Sequence, residues 1–243
     1  MESAVKEALS EAFPDREVVA TDDELDSGQP GNQVVAVRFQ GGQRAFLKVA
    51  IDDNRRQIAR EAAATRYAAT NCDVRVPRVL AADPDADLPY VATTSLTGTS
   101  VDSRWRSIET DERAAILRRI GRGLAGTHTA RFNECGQTVG GDAAELDLDE
   151  GPWADVLRDV VESRTTDHLP DRFSGAIDQT RQAIQERSSY LDNISHTLLH
   201  GDPRPENCFL DRQTGFIIGK QHWLVTRLWI SAMWRICISN GLT

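Results

Sequence analysis

His200-Gly201-Asp202-Pro203-Arg204-Pro205-Glu206-Asn207 sets an aspartate five residues before an asparagine, between the apolar runs Thr197-Leu198-Leu199 and Cys208-Phe209-Leu210. Phosphoryl transfer needs a carboxylate to orient and deprotonate an acceptor hydroxyl, and a neighbouring oxygen ligand for Mg2+. A tight loop between two strands holds both rigidly. Loops rich in Asp, Pro and Asn also form for purely structural reasons. The rest of the chain has to decide between these readings.

Upstream, residues 34–39 and 45–50 read as two strands joined by the Gly41-Gly42 turn, a hairpin pattern. Lys48 sits inside the second strand, where a charge is costly without a partner. Residues 52–70 form an Ala-rich helical pattern carrying Glu61. A strand lysine paired with a helix glutamate is how kinase-like folds hold the α- and β-phosphates of ATP. Taken singly, Lys48 also suits a snorkelling edge-strand lysine and Glu61 a solvated helix face. The order of glycine turn, lysine, glutamate and HGDxxxxN loop favours the chemical reading.

The remaining elements sort by position. Residues 2–13 carry Val5, Ala8, Leu9 and Phe13 at helical spacing, and Val18-Val19 starts a short strand. Val79-Leu80 and residues 90–94 read as further strands. After Gly98 the pattern turns helical, with Ile116, Leu117, Ile120 and Leu124 forming an apolar stripe over about 111–128. Residues 133–151 read as a polar loop, followed by helices over about 152–164 and 171–190. The expected fold is α+β, with a strand-rich lobe over 1–95 and a helical lobe over 96–218.

Composition excludes other classes. At 40% hydrophobic and 27% charged, the 243-residue chain is neither fibrous nor wholly disordered. Its net charge of −9 leaves no broad basic footprint for nucleic acid. No run reaches the roughly 18 apolar residues of a membrane helix, and the N-terminus lacks a signal peptide's pattern. Cys72, Cys135, Cys208 and Cys237 show no CxxC spacing, so neither zinc nor a disulfide framework is indicated, and a cytoplasmic location is expected. Three lysines stand against 25 arginines, which fits either a surface hydrated in high salt or a GC-rich gene.

On these residues the chain resembles the aminoglycoside phosphotransferase family of the protein-kinase-like superfamily, over about 15–219. Leu124-Ala125-Gly126-Thr127-His128 is similar to a helix end of that family. The resemblance implies a two-lobed kinase-like fold, ATP and Mg2+ as cofactors, and a small hydroxylated substrate, with no nucleic acid or membrane partner. It implies that Asp202 is the catalytic base and Asn207 a Mg2+ ligand, and that Lys48, paired with Glu61, binds the phosphates. Ser95 and Leu96 belong to the implied hinge over 95–98, whose backbone meets adenine, and 26–32 would cover the phosphates. Arg204 joins the catalytic set at a position where relatives often carry His, so its role is open.

One departure is sharp. The family follows its catalytic loop with a strand ending in Ile-Asp-Trp, whose Asp holds Mg2+. Here Phe216-Ile217-Ile218 is followed by Gly219-Lys220, and aligning on Trp223 instead puts His222 at the Asp position. Glycine offers no side chain, and a neutral imidazole is a poor ligand for an ion that prefers hard oxygens. Residues 212–243 contain no acidic residue, although they hold Trp223, Trp229 and Trp234. Synonymous codons for Gly219 onward can be chosen so that another reading frame encodes Gln-Thr-Thr-Leu-Ala-Gly-Asp-Pro-Ala-Leu-Asp-Leu. Four inserted bases then restore Asp-Trp immediately before it. The expectation is an aberrant, frameshifted tail over 219–243, an incomplete helical lobe, and either an ATP-dependent kinase that passes the γ-phosphate to a hydroxyl of a small substrate or an inactive nucleotide-binding pseudokinase or frameshifted remnant.

Overall fold

The computed structural model describes residues 2–25, 31–105, 107–165, 174–217 and 223–224. Helix α1 spans Glu2–Ala12 and strands β1, β2 and β3 span Val18–Leu25, Asn32–Phe39 and Arg44–Ala50. Helix α2 (Arg55–Asn71) comes next, then β4 (Val79–Asp83) and β5 (Tyr90–Thr94). The five strands form one antiparallel sheet in the order β1-β2-β3-β5-β4. The expected hairpin is present, with Val34 opposite Lys48 and Arg38 opposite Arg44.

Alternation along β3 determines what Lys48 meets. Leu47 and Val49 point to the face covered by α1, packing with Val5, Leu9, Phe13 and Val35. Lys48 therefore points the other way, toward α2. There Ile58 and Ala62 bury against Ala50 and Val91. Each fully buried Val, Leu or Ile side chain in these layers contributes about 1.5–3 kcal/mol. Asn54 caps α2, its side chain accepting from the Gln57 N–H at 3.2 Å.

The second part opens with β6 (Thr99–Ser100), α3 (Val101–Trp105) and α4 (Thr110–Thr127). Strands β7 (Arg131–Phe132), β8 (Gly136–Gly141) and β9 (Leu146–Glu150) precede α5 (Trp153–Thr165), α6 (Ser174–Glu186) and α7 (Ser188–Leu191). Strands β10 (His196–Leu199), β11 (Cys208–Leu210), β12 (Thr214–Phe216) and β13 (Trp223–Leu224) complete the described elements. The α4 stripe of Ile116, Ile120 and Leu124 packs on Cys208 and Phe216, while Leu117 is half-buried at its edge. That contact seats the two strands that follow the HGDxxxxN loop.

One expectation is corrected. The stretch 133–151 is not a loop, because β8 and β9 form an antiparallel hairpin within it, Gly136 pairing with Glu150 and Gly141 with Leu146. Leu146 and Leu148 alternate with the exposed Asp147 and Asp149 and pack toward Tyr67 and Ala64 of α2. This is period-two patterning, hidden by its acidic composition. Of the expected aberrant tail, only Trp223 and Leu224 are described, pairing with β10 and β8; the rest of 219–243 lies outside the described residues.

Candidate active site

Lys48 Nζ and Glu61 Oε2 form a close ion pair, their side chains only 12% and 13% exposed. The strand alternation and the helix register bring these residues together across 13 positions of sequence. A pair this buried is a demanding arrangement, since removing either partner strands the other charge in an apolar setting.

The loop residues form a second cluster. Strand β10 is wholly buried and delivers His200, itself 4% exposed, to the base of the loop. His200 Nε2 donates to the Ile217 carbonyl at 2.8 Å, and its Nδ1 accepts from the Asp202 N–H at 3.3 Å. These two bonds fix the neutral tautomer and tie the loop to the chain beyond β12. Asp202 Oδ1 accepts from Arg204 Nε at 2.9 Å, and Oδ2 accepts from Asn207 Nδ2 at 3.1 Å. Asn207 Nδ2 also donates to the Asp202 carbonyl at 2.9 Å. Arg204 reaches on to Glu206, its Nη1 lying 2.9 Å from Oε1. Asp202 and Asn207 thus meet, as the spacing predicts, and Arg204 joins them.

Burial pushes the His200 pKa down from its ordinary 6.5 to about 4, against the opposing pull of the Ile217 carbonyl and the Asp202 charge. The folded chain therefore binds fewer protons than the unfolded chain between those pH values. The contribution is complete above about pH 6.5 and fades as pH falls from there toward 4, reaching a loss of about 3 kcal/mol. Urea unfolding at a series of pH values checks this. His200→Gln should flatten the fall in stability between pH 6.5 and 4.5, and an unchanged slope would count against it.

Ser95 and Leu96 follow β5, Ser95 exposed and Leu96 half-buried, with Ser95 Oγ donating to the Leu96 carbonyl at 3.2 Å. This segment runs into β6, where Thr99 and Ser100 pair with Leu210 and Phe209 of β11. The segment 95–98 therefore continues directly onto the exit strand of the loop. Of the segment 26–32, residues 26–30 lie outside the described residues. A groove of about 990 Å³ lies elsewhere, between α1, β1 and β2, and none of these site residues lines it.

For a divalent cation, the donor set is half suitable. With Nδ2 committed to Asp202, Asn207 keeps its carbonyl oxygen to offer a hard cation. Position 219 carries no side chain at all. Among the described residues no group of three or more His, Cys, Asp or Glu is placed to hold a metal. Sequence reasoning missed Arg75 and Asp211, which are joined to Thr97 of the expected 95–98 segment by hydrogen bonds and to each other by an ion pair. No motif marks them.

The model of the phosphotransferase enzyme family matches residues 24–219. No curated protein matches the chain. Among solved structures, a thermostable mutant of aminoglycoside phosphotransferase APH(4)-Ia, in ternary complex with ADP and hygromycin B, superposes with a TM-score of 0.71 at 14% identity, covering 98% of this chain and 78% of that one. The gentamicin complex of APH(2")-IIa gives 0.60 at 14% identity, with 93% and 72% covered. A Thermobifida fusca YX-ER1 protein named for fructosamine-3-kinase gives 0.59 at 19% identity, with 90% and 73% covered. At these identities the likeness is one of fold, the two-lobed kinase-like architecture. Among the described residues, no helix is long and apolar enough to cross a membrane.

Proposed function

The chain belongs to the phosphotransferase enzyme family, and on that premise we propose that it binds ATP and is built to pass the γ-phosphate to a hydroxyl of a small molecule. The observation that carries this reading is the part-buried Lys48–Glu61 pair, which places one lysine ammonium on the inner face of β3 with a helix carboxylate to hold it. Lys48 binds the phosphates, Glu61 orients Lys48, and the backbone at Ser95 and Leu96 meets the adenine. Asp202 accepts the acceptor's hydroxyl proton. Both of its oxygens already receive one hydrogen bond, which fixes the carboxylate plane and leaves a lone pair for the substrate. Arg204 holds Asp202 from the solvent side and partly balances the charge of Glu206.

Asn207 is the residue that would contact Mg2+, an ion that neutralises charge on the transferring phosphate when bound. The residue that should share the ion is glycine at 219. That absence favours a second reading, a nucleotide-binding protein that transfers phosphate poorly or not at all, its tail over 219–243 read from a shifted frame. On either reading 1–95 is the nucleotide lobe and 96–218 carries the catalytic loop. ATP turnover with hydroxylated acceptors, set beside calorimetric ATP binding with and without Mg2+, separates the two. Binding with turnover supports the first, binding without it the second, and no binding removes both.

A further inference from the structure

Arg75 lies in the connection between α2 and β4, in no motif, yet its guanidinium gathers two distant parts of the chain. Nη1 donates to Thr97 Oγ1 at 2.7 Å, and Nη2 donates to the Thr97 carbonyl at 2.9 Å and the Gln213 carbonyl at 3.1 Å. Asp211 Oδ2 lies 3.6 Å from Nη1 and accepts from Thr97 Oγ1 at 3.1 Å. The Arg75 carbonyl in turn accepts from the Phe216 N–H at 2.8 Å. Partners 22 and 138 residues away in sequence thus meet on one side chain.

Two glycines make room for this. A Cβ on Gly215 would stand 2.9 Å from Arg75 Nε, so a larger residue there would displace the guanidinium from the slot in which it lies. Gly98 holds φ at +104°, and a Cβ there would stand 2.4 Å from the Leu210 carbonyl oxygen, so the end of the hinge passes directly against β11. The start of the hinge is held from the same connection. The Thr94 N–H donates to the Arg78 carbonyl at 2.9 Å, and Thr94 Oγ1 accepts from the Arg78 N–H at 2.9 Å. Ser95 and Leu96 are therefore suspended between two anchors, Thr94 on Arg78 and Thr97 on Arg75.

We infer that Arg75 is a positioning residue for the nucleobase end of the site: it sets the backbone of Ser95 and Leu96 and locks that segment to the turn that follows the catalytic loop. The inference rests on the ATP reading given above. It requires the forked, planar donor set of arginine, because one group must serve two carbonyls and a hydroxyl at fixed angles.

The test compares two probes on the full chain by calorimetry, ATP and inorganic tripolyphosphate, in the unaltered protein and in Arg75→Ala. A residue that positions the hinge affects only the ligand carrying a base. Arg75→Ala should weaken ATP about tenfold, as expected for losing charge-assisted hydrogen bonds, and leave tripolyphosphate within about twofold. Thr97→Val, which removes the hydroxyl's bonds to Arg75 and Asp211 and no charge, should shift ATP the same way by about threefold, and serves if Arg75→Ala does not fold. Equal weakening of both probes, or unchanged ATP affinity, overturns the inference while the nucleotide site stands. Failure of the unaltered chain to bind ATP would remove the nucleotide site itself and the inference with it.

Discussion

Lys48→Ala lowers the affinity of the chain for ATP by about 10- to 100-fold. A charge-assisted hydrogen bond is worth about 1.5–3 kcal/mol, and each 1.4 kcal/mol is a factor of ten. Lys48 is one of only three lysines in the chain and sits in the middle of an apolar strand. The substitution acts twice, because it removes the ammonium that the proposed site sets against the phosphates and leaves Glu61 at 13% exposure without its counter-charge. The second effect costs stability, about 3–5 kcal/mol for a well-buried pair and less here, where both side chains keep some solvent contact. Glu61→Gln separates the two effects, since it retains the shape and the lysine; its ATP affinity should fall less than that of Lys48→Ala. Calorimetric titration reads both. Unchanged affinity in Lys48→Ala would place the phosphates elsewhere.

Turnover is the second large effect. The 243-residue chain should transfer phosphate about 100- to 1,000-fold more slowly than a version whose reading frame from position 219 encodes Asp-Trp followed by the alternative segment. Removing one preorganised electrostatic contact from a transition state costs about that much. On the proposed reading Asn207 offers the cation an oxygen, and glycine at 219 offers no side chain. Both proteins should bind ATP, so the deficit should appear in kcat. Robust Mg2+-dependent turnover by the unaltered chain would overturn this expectation. The gene sequence is an independent check, because codons that cannot produce the alternative frame would end the frameshift account.

Much of this site was legible before any coordinates. The HGDxxxxN loop brings its own residues together, since Asp202 and Asn207 are five apart and the prolines at 203 and 205 stiffen what lies between. Lys48 and Glu61 were legible because strand alternation and helix register each dictate one face, and the two faces meet. The β8–β9 hairpin was not. Its Leu-Asp-Leu-Asp alternation is a strand signal, but glycines and acids dominate its composition. Arg75 was invisible for a different reason. Its partners lie up to 138 residues away, and no local pattern encodes which distant carbonyl an arginine will find. Nor does sequence reveal that Gly215 is small to admit a guanidinium rather than to make a turn.

The decisive measurement is a crystal structure of the chain with a non-hydrolysable ATP analogue. The account predicts the triphosphate against Lys48, with Glu61 still paired to it, and the adenine against the backbone of Ser95 and Leu96. A nucleotide seated in the groove beside α1, or one that leaves Lys48 and the 95–96 backbone untouched, would contradict it.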